Sequence, residues 1–249
     1  MNARSPIPWA VILTVLLTFG LPLARPIFAY MFPELPRPLY EEDPFWLLLL
    51  DHLGLVAVSG AISVLGGIAL AIAVTRPWGA EFRSLVETLA AMGQTFPPVA
   101  VLAVAVPALG FGIWPAIIAL TLYGLLPVTE NTVAGLSQIA PAIKEAARGS
   151  GMTPWQVLTR VELPLAAPVI IAGARTSITI NVGTAAIAST VGAKSLGLPI
   201  IVGLNASNTA YVLQGALLTG SLALALDQLS ELFSWRVQRW KCGATVIVR

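Results

Sequence analysis

The chain has 249 residues, of which 57% are hydrophobic and only 10% are charged, and its mean hydropathy is +0.84. A soluble domain carries about a quarter charged residues, so this composition excludes an ordinary soluble protein and predicts one embedded in membrane lipid. The formal charge of +2 and the lack of a basic patch argue against a nucleic-acid partner. One cysteine, Cys242, and one histidine leave no disulfide, metal-ligand set or nucleophile–base pair. We expect no enzyme, no catalytic residue and no metal site.

Six apolar segments reach or approach the ~20 residues that a helix needs to cross hydrocarbon. They predict an all-α polytopic membrane protein with about six transmembrane helices, forming one domain over residues 1–249. The first segment could also be a cleaved signal peptide, because it follows a basic start; its length favours a retained helix. The six expected spans are residues 9–30, 46–75, 85–107, 116–133, 165–190 and 211–235.

Small residues recur every four positions in the second span, at Ser59, Ser63, Gly67 and Ala71. On a helix this spacing lets a neighbouring helix approach closely, although a chance run in a Gly- and Ala-rich segment is the alternative. The third span is interrupted at Gln94–Pro98. This break frees backbone carbonyls for other helices or for a polar pathway, and a structural kink alone is the competing interpretation.

Six spans place both termini and the segment 137–164 on the same side of the membrane. Most basic residues fall on that side, which the positive-inside rule identifies as cytoplasmic. The acidic segment 31–45 is then external. The basic residues on the first side are Arg4, Arg76, Arg83, Lys144, Arg148, Arg160, Arg236, Arg239, Lys241 and Arg249, against Arg37 and Lys194 on the other, with Arg25 near the end of its span.

The segment 137–164 is the longest polar, helix-forming interruption between spans. Pro141 favours the start of one helix, and Gly149 and Gly151 allow a positive φ at its end. Thr153 and Pro154 predict the N-cap and first position of a second helix, which Leu163-Pro164 is expected to end. The small residues Ala146, Ala147 and Gly151, expected to be exposed, favour a surface on which another protein docks; a plain connector is the alternative.

Two charged residues lie deep in the expected spans. At ~1.5 Å per residue, Arg175 is about 16 Å from the start of its span and Asp227 about 12 Å from the cytoplasmic end of its own. Their similar depth favours a structural ion pair. The alternative is a proton relay in an ion-coupled secondary transporter that uses Arg175 and Asp227.

The polar segment also resembles a known motif. Glu145-Ala146-Ala147, Gly151 and Val161-x-Leu163-Pro164 are spaced as in the EAA loop of ABC importer permeases, with Val161 where Ile is usual. This resemblance implies a MetI-like permease fold with a cytoplasmic coupling helix that docks on a separate ATP-binding subunit. It assigns ATPase coupling to Glu145, Ala146, Ala147, Gly151, Leu163 and Pro164. It also implies that ATP binds to the partner subunit and that this chain holds no cofactor.

Further motifs are similar to those of the permeases for glycine betaine, carnitine and choline. This resemblance implies an osmoprotectant importer in the cell inner membrane. The implied partners are membrane lipid, a second permease subunit in a homo- or heterodimer, and an external periplasmic binding protein that largely selects the solute. Candidate residues of the pathway or gate are Gln94, Thr95, Pro97, Asn131 and Asn181, and the Gly-rich segment 191–209 is an outer gate or a loop. The motifs include Gln94–Pro98, Gly110–Gly112, Ala119–Tyr123, Asn131-Thr132, Ala172–Arg175, Asn181–Thr184, Leu196-Gly197 and Gln214-Gly215.

Overall fold

A computed structural model describes residues 8–244, except the side chains of residues 90, 91, 93, 94 and 235–244. Every regular element in this part of the chain is helical. The α-helices are α1 (Trp9–Gly20), α2 (Arg25–Met31), α3 (Phe45–Thr75), α4 (Arg83–Thr95), α5 (Pro98–Leu109), α6 (Ile113–Ser137), α7 (Pro141–Gly149), α8 (Pro154–Val157), α9 (Leu163–Ala185), α10 (Leu198–Asn205) and α11 (Thr209–Ala244).

Fewer helices of residues 8–244 qualify as single membrane spans than the sequence predicts. Four are long and apolar enough, and a bent pair of helices would make a fifth. In that pair Trp9–Leu23 and Arg25–Met31 meet at 77°, where Pro22 and Pro26 interrupt the backbone hydrogen bonds. The expected span 85–107 is divided between α4 and α5, and each is shorter than a membrane crossing requires. The four long spans are Phe45–Thr75, Ile113–Ser137, Pro154–Ala185 and Thr209–Ser234.

One predicted helix end is wrong. The helix that starts at Pro154 does not stop at Leu163-Pro164 but runs on through a π-helical turn, Leu158–Glu162, into α9. Proline lacks the N–H that an α-helical bond to residue 160 would use, and its ring crowds that carbonyl. The π turn provides a different hydrogen-bond pattern just before it, with the N–H of Leu163 donating to the carbonyl of Leu158. The proline is therefore accommodated inside the helix.

The core of the bundle is built around α6. This helix packs along both α3 and α9, and 61% of its membrane-length segment is buried, the highest value among the four long spans. The helices α4 and α5 pack on another side of α6, while α11 contacts α9, α10 and α1. Large apolar side chains such as Leu16 and Phe19 of α1 are exposed, as expected of a surface that contacts lipid.

Small residues set the spacing of the three central helices. A Cβ added at Gly67 of α3 would lie 2.8 Å from the Cβ of Val128 in α6, and one at Gly173 of α9 would lie 2.7 Å from the Cβ of Asn131. Ser63 donates a hydrogen bond of 3.0 Å across this interface to the carbonyl of Thr121. The ladder that begins at Ser59 is buried against α6 as its spacing predicts.

Candidate functional site

The polar segment forms a helical hairpin of α7 and α8 at one end of the bundle, which we call the hairpin end. Gly151 closes α7 with φ of +82°; its N–H donates to the carbonyl of Arg148, and the N–H of Met152 donates to that of Ala147. This pair of bonds is the Schellman ending of a helix. Thr153 then caps α8 by a reciprocal pair of bonds with Gln156. The hairpin boundaries at Gly151 and Thr153 are as the sequence predicts.

The outer surface of the hairpin exposes two large apolar side chains on a polar segment. Ile143 is 44% exposed and Trp155 is 69% exposed, and Glu145 and Ala146 of α7 are exposed as well. Ala147 differs from the expectation, because it is only 8% exposed and is covered by the chain itself. Exposed apolar groups around a charge are typical of a surface that another protein covers. Glu145, Ala146 and Gly151 remain available for such a contact, whereas Ala147 is part of the hairpin's own packing.

A buried carboxylate that the sequence analysis did not single out lies where the hairpin joins the bundle. Glu162, in the π turn, is 2% exposed, and its Oε2 lies 2.6 Å from Nη2 of Arg76. Its Oε1 lies 3.4 Å from Nζ of Lys144 on α7. In the sequence, Glu162 is a single acidic residue inside a motif that is defined by its apolar neighbours. Such a position gives no indication that the side chain is buried or that it has partners on two other elements.

The second candidate region is the break between α4 and α5. The helix α4 ends at Thr95, and Pro98 begins α5 after the extended residues Phe96 and Pro97. Tyr123 of α6 donates its hydroxyl hydrogen to the carbonyl of Phe96, which the break leaves without a helical partner. Thr95 and Pro97 are exposed. The side chain of Gln94 lies outside the described part of the structure.

Two clefts follow α4 and α6 from the break to the hairpin end. An apolar cleft of about 340 Å³ next to the break is lined by Phe96 and Leu126 among others. A more polar cleft of about 310 Å³ is lined by Arg83, Glu87 and Glu130. Both are lined by Val86 and Thr129, so they adjoin one another. A continuous groove therefore runs along the exposed side of α6.

The two asparagines proposed for the pathway lie elsewhere. Asn131 is half-buried between α6 and α9, and its Nδ2 donates to the carbonyl of Pro127 at 2.8 Å. Asn181 of α9 is fully buried, with Nδ2 3.3 Å from Oγ of Ser59. A fully buried side chain does not line a pathway in this conformation. The structure instead places Asn181 in the packing of α9 against α3.

Arg175 and Asp227 are in direct contact. Nε and Nη2 of Arg175 lie 2.6 and 2.7 Å from the two carboxylate oxygens of Asp227, a two-pronged pair that joins α9 to α11. Glu231, one turn further along α11, lies 3.7 Å from the same guanidinium. About a third of each side chain of the pair is exposed. The geometry is that of a fixed ion pair between two helices.

The opposite end of the bundle carries the segment 32–44, held by the start of α11. Gln214 binds it twice, accepting from the N–H of Tyr40 at 3.1 Å and donating to the carbonyl of Pro38 at 2.7 Å. Asn208 donates to the carbonyl of Arg37 at 2.8 Å. Burial raises the pKa of the Tyr40 hydroxyl above its ordinary value, so it stays protonated and donates to Asp43. The segment 32–44, which the sequence predicts to be external, is therefore held in place by these hydrogen bonds.

Membrane-length helices, a broken helix beside a groove, and an exposed hairpin at one end are the features of a membrane-embedded transport subunit. The chain belongs to the family described as the binding-protein-dependent transport system inner membrane component, whose sequence profile matches residues 63–239. The resemblance to ABC importer permeases is confirmed. Membership of this family does not favour the secondary transporter, in which Arg175 and Asp227 would relay ions.

The curated relatives are permease subunits of the same kind. The osmoprotectant import permease protein OsmY of Salmonella typhimurium is 43% identical over 186 residues, which cover 75% of this chain and 79% of that protein. OsmW of the same organism is 38% identical over 188 residues, covering 73% and 86%. The glycine betaine/carnitine/choline transport system permease protein OpuCB of Bacillus subtilis is 36% identical over 177 residues, covering 71% and 81%.

Solved structures show the same fold. The MetNI methionine ABC transporter in an inward-facing conformation aligns with a TM-score of 0.68 at 23% identity, covering 79% of this chain and 99% of that one. An amino acid ABC transporter solved with histidines aligns with a TM-score of 0.63 at 21% identity, covering 76% and 92%. The all-α permease fold predicted from the sequence is confirmed.

Proposed function

We propose that this chain is the permease through which an ATP-binding-cassette importer takes up a quaternary-ammonium osmoprotectant of the glycine betaine, choline or carnitine type. The observation that carries the coupling is the exposed hairpin, which presents the apolar side chains of Ile143 and Trp155 together with the carboxylate of Glu145. The relatives named for osmoprotectants, choline and carnitine support the solute class.

The hairpin is the surface on which a separate ATP-binding subunit docks. Ala146 allows close approach on α7, and Glu145 offers a charge to a basic group of the partner. The basic residues Arg76, Arg83 and Lys144 lie at this end, which the positive-inside rule places in the cytoplasm. Counting the bent pair α1–α2 and the divided segment α4–α5 as one crossing each, as the sequence predicts, gives six crossings with the four long spans. Both termini are then also cytoplasmic, and ATP is bound by the partner rather than by this chain.

The groove beside the α4–α5 break faces a second permease subunit across a central pathway. Irregular backbone is not tolerated against lipid, because water cannot satisfy its polar groups there. Thr95 lies about 18 Å along α4 from Arg83, and this distance places Thr95 close to the middle of a bilayer. Its exposed neighbours Phe96 and Pro97 therefore contact protein or a water-filled pathway.

The opposite end receives an external solute-binding protein. The segment 32–44 is held there by Gln214 and Asn208, which gives the partner a rigid surface rather than a loop that must be ordered on binding. Selection of the solute then belongs largely to that partner, where aromatic rings can hold a quaternary ammonium group.

Affinity purification of the tagged chain from its own membranes tests this function. We expect an ATP-binding subunit to co-purify, and ATP-dependent uptake of radiolabelled choline or glycine betaine by the complex in vesicles. Glu145→Lys should abolish co-purification and uptake, while Glu81→Lys, a charge reversal at another exposed position of the same end, should leave both intact. Solute uptake that persists without any ATPase would overturn the proposal.

A further inference from the structure

Glu162 and Lys144 together connect four elements at the hairpin end. Its carboxylate lies 2.6 Å from Arg76, directly after α3, and 3.4 Å from Lys144 on α7, and Glu162 itself immediately precedes α9. Nζ of Lys144 also lies 3.2 Å from the carbonyl of Leu136 near the end of α6. The helix α7 is thus joined to the three central helices α3, α6 and α9 through the carboxylate of Glu162 and the ammonium group of Lys144.

The position of Lys144 links this cluster of charges to the exposed surface of α7, on which the partner is proposed to dock. Lys144 is adjacent to Glu145 in α7, but its side chain is only 26% exposed and turns towards the bundle. A displacement of α7 by a docked partner therefore acts directly on the contact between Lys144 and Glu162. Because α3 and α9 both pack along α6, a shift at Glu162 reaches the two helices that border the core.

The charges make the contact hard to replace. Glu162 is 2% exposed and is shared by two cations, and within the described residues Nε of Arg76 is buried without a hydrogen-bond partner. Removing the carboxylate leaves two positive groups facing each other with no counter-ion, which is the costly way to break a buried ion pair. A glutamine in place of Glu162 keeps the volume of the side chain but removes its charge.

We propose that Glu162 is a positioning residue that transmits movement of α7 to α3 and α9, and so couples ATP hydrolysis to transport. The proposal rests on the function proposed above. It assigns to the π turn a specific task, because the turn places a charged side chain inward at the point where the hairpin becomes a membrane helix.

The test compares Glu162→Gln with Glu81→Gln in the complex reconstituted into vesicles with its ATPase and binding protein. Glu81 is also an acidic residue at the hairpin end, but it is exposed. We expect Glu162→Gln to keep co-purification and ATP hydrolysis, while choline transported per ATP falls about tenfold, as is typical of coupling between sites. Glu162→Asp should recover part of the loss, and Glu81→Gln should match the wild type.

A second variant keeps the proposal testable if Glu162→Gln does not fold. Lys144→Met removes only the link from α7 and leaves the pair of Arg76 and Glu162 in place, and it should also lower transport per ATP. An unchanged ratio in the folded variants, or a parallel fall of hydrolysis and transport, would overturn the proposal. Absence of any ATPase from the wild-type preparation would instead contradict the proposed function itself.

Discussion

Gly124 shows how the absence of one side chain determines the spacing of the helices in the core. A Cβ at this position would lie 2.6 Å from Oγ of Ser63, 2.7 Å from Oγ of Ser177 and 2.9 Å from Nδ2 of Asn181. Those residues belong to α3 and α9, so the three helices meet around the bare backbone of α6. Within the described residues, Oγ of Ser177 and Oδ1 of Asn181 are buried without a hydrogen-bond partner, which leaves this cluster little tolerance for displacement.

Gly124→Ala should therefore destabilise the protein, although alanine is normally the better helix residue. Overpacking of this kind costs about 1–3 kcal/mol, and the thermal unfolding temperature in detergent should fall. Gly220→Ala in α11 is the matched control, because in the part of the chain that the structure describes nothing lies within 4 Å of its added Cβ; it should be neutral or stabilising. Equal unfolding temperatures for the two variants would contradict this view of the core.

Gly151 is needed for its backbone conformation and not for space. Its φ is +82°, and no atom of the described residues lies within 4 Å of an added Cβ. Gly151→Val should cost about 1–2 kcal/mol at the end of α7 and reduce solute uptake, while the bundle keeps its unfolding temperature. Gly151→Asn should retain most activity, because asparagine tolerates this conformation. Gly149→Ala, inside α7 with open space around it, should be silent; loss of uptake there would show that bulk rather than φ matters.

At the scale of elements, the sequence predicts those features that local chemistry determines. The hairpin boundaries depend on Gly151 and Thr153, and both residues adopt the expected turn and cap. The long spans follow from unbroken apolar runs. The burial of Glu162 depends on Arg76, directly after α3, and on Lys144 of α7, which no local pattern records. The burial of Ala147 likewise depends on how the hairpin folds back on itself.

The division of the third expected span has a similar origin. Hydropathy alone favours one crossing over residues 85–107, because Pro97 and Pro98 lie in an apolar run. Two consecutive prolines remove two donors and push Phe96 into an extended conformation, and the hydroxyl of Tyr123 then stabilises the separated ends. The sequence predicts the break, but it does not predict that Tyr123 of α6 binds the carbonyl of Phe96 there.

The ion pair between α9 and α11 supports a prediction about two elements together. Reversing either charge, as in Arg175→Asp or Asp227→Arg, should cost about 3 kcal/mol because a like-charge pair remains within the hydrocarbon depth. The double reversal should restore the unfolding temperature and uptake. Glu231→Gln is included in that variant, because Glu231 lies 3.7 Å from the guanidinium and would repel an introduced aspartate.

The controls for this prediction separate structure from ion transport. Arg83→Glu breaks an exposed pair within α4, and such surface pairs contribute little, so stability should change by less than about 1 kcal/mol. A double reversal that is stable but inactive would favour ion relay through these residues over a structural pair.

At the scale of the whole molecule, the bundle has sides with different environments. The side formed by α1 exposes large apolar residues such as Leu16, at 64%, on a continuous helix. The side with the α4–α5 break exposes irregular backbone and a groove that becomes more polar towards the hairpin end. Lipid tolerates the first and not the second, which supports the proposal that the second side faces the pathway and another permease.

Cysteine accessibility distinguishes these two sides. With Cys242 replaced by Ser, a cysteine at Thr95 should react with a charged, membrane-impermeant maleimide applied to opened vesicles, because water reaches the break. A cysteine at Leu16, which is also exposed in the isolated chain, should not react, because lipid covers it. Excess choline together with ATP and the binding protein should change the rate of maleimide labelling of the cysteine at residue 95 and leave that of the cysteine at residue 16 unchanged. Equal labelling at both positions would show that the break does not face an aqueous pathway, and the assignment of that side to transport would be wrong.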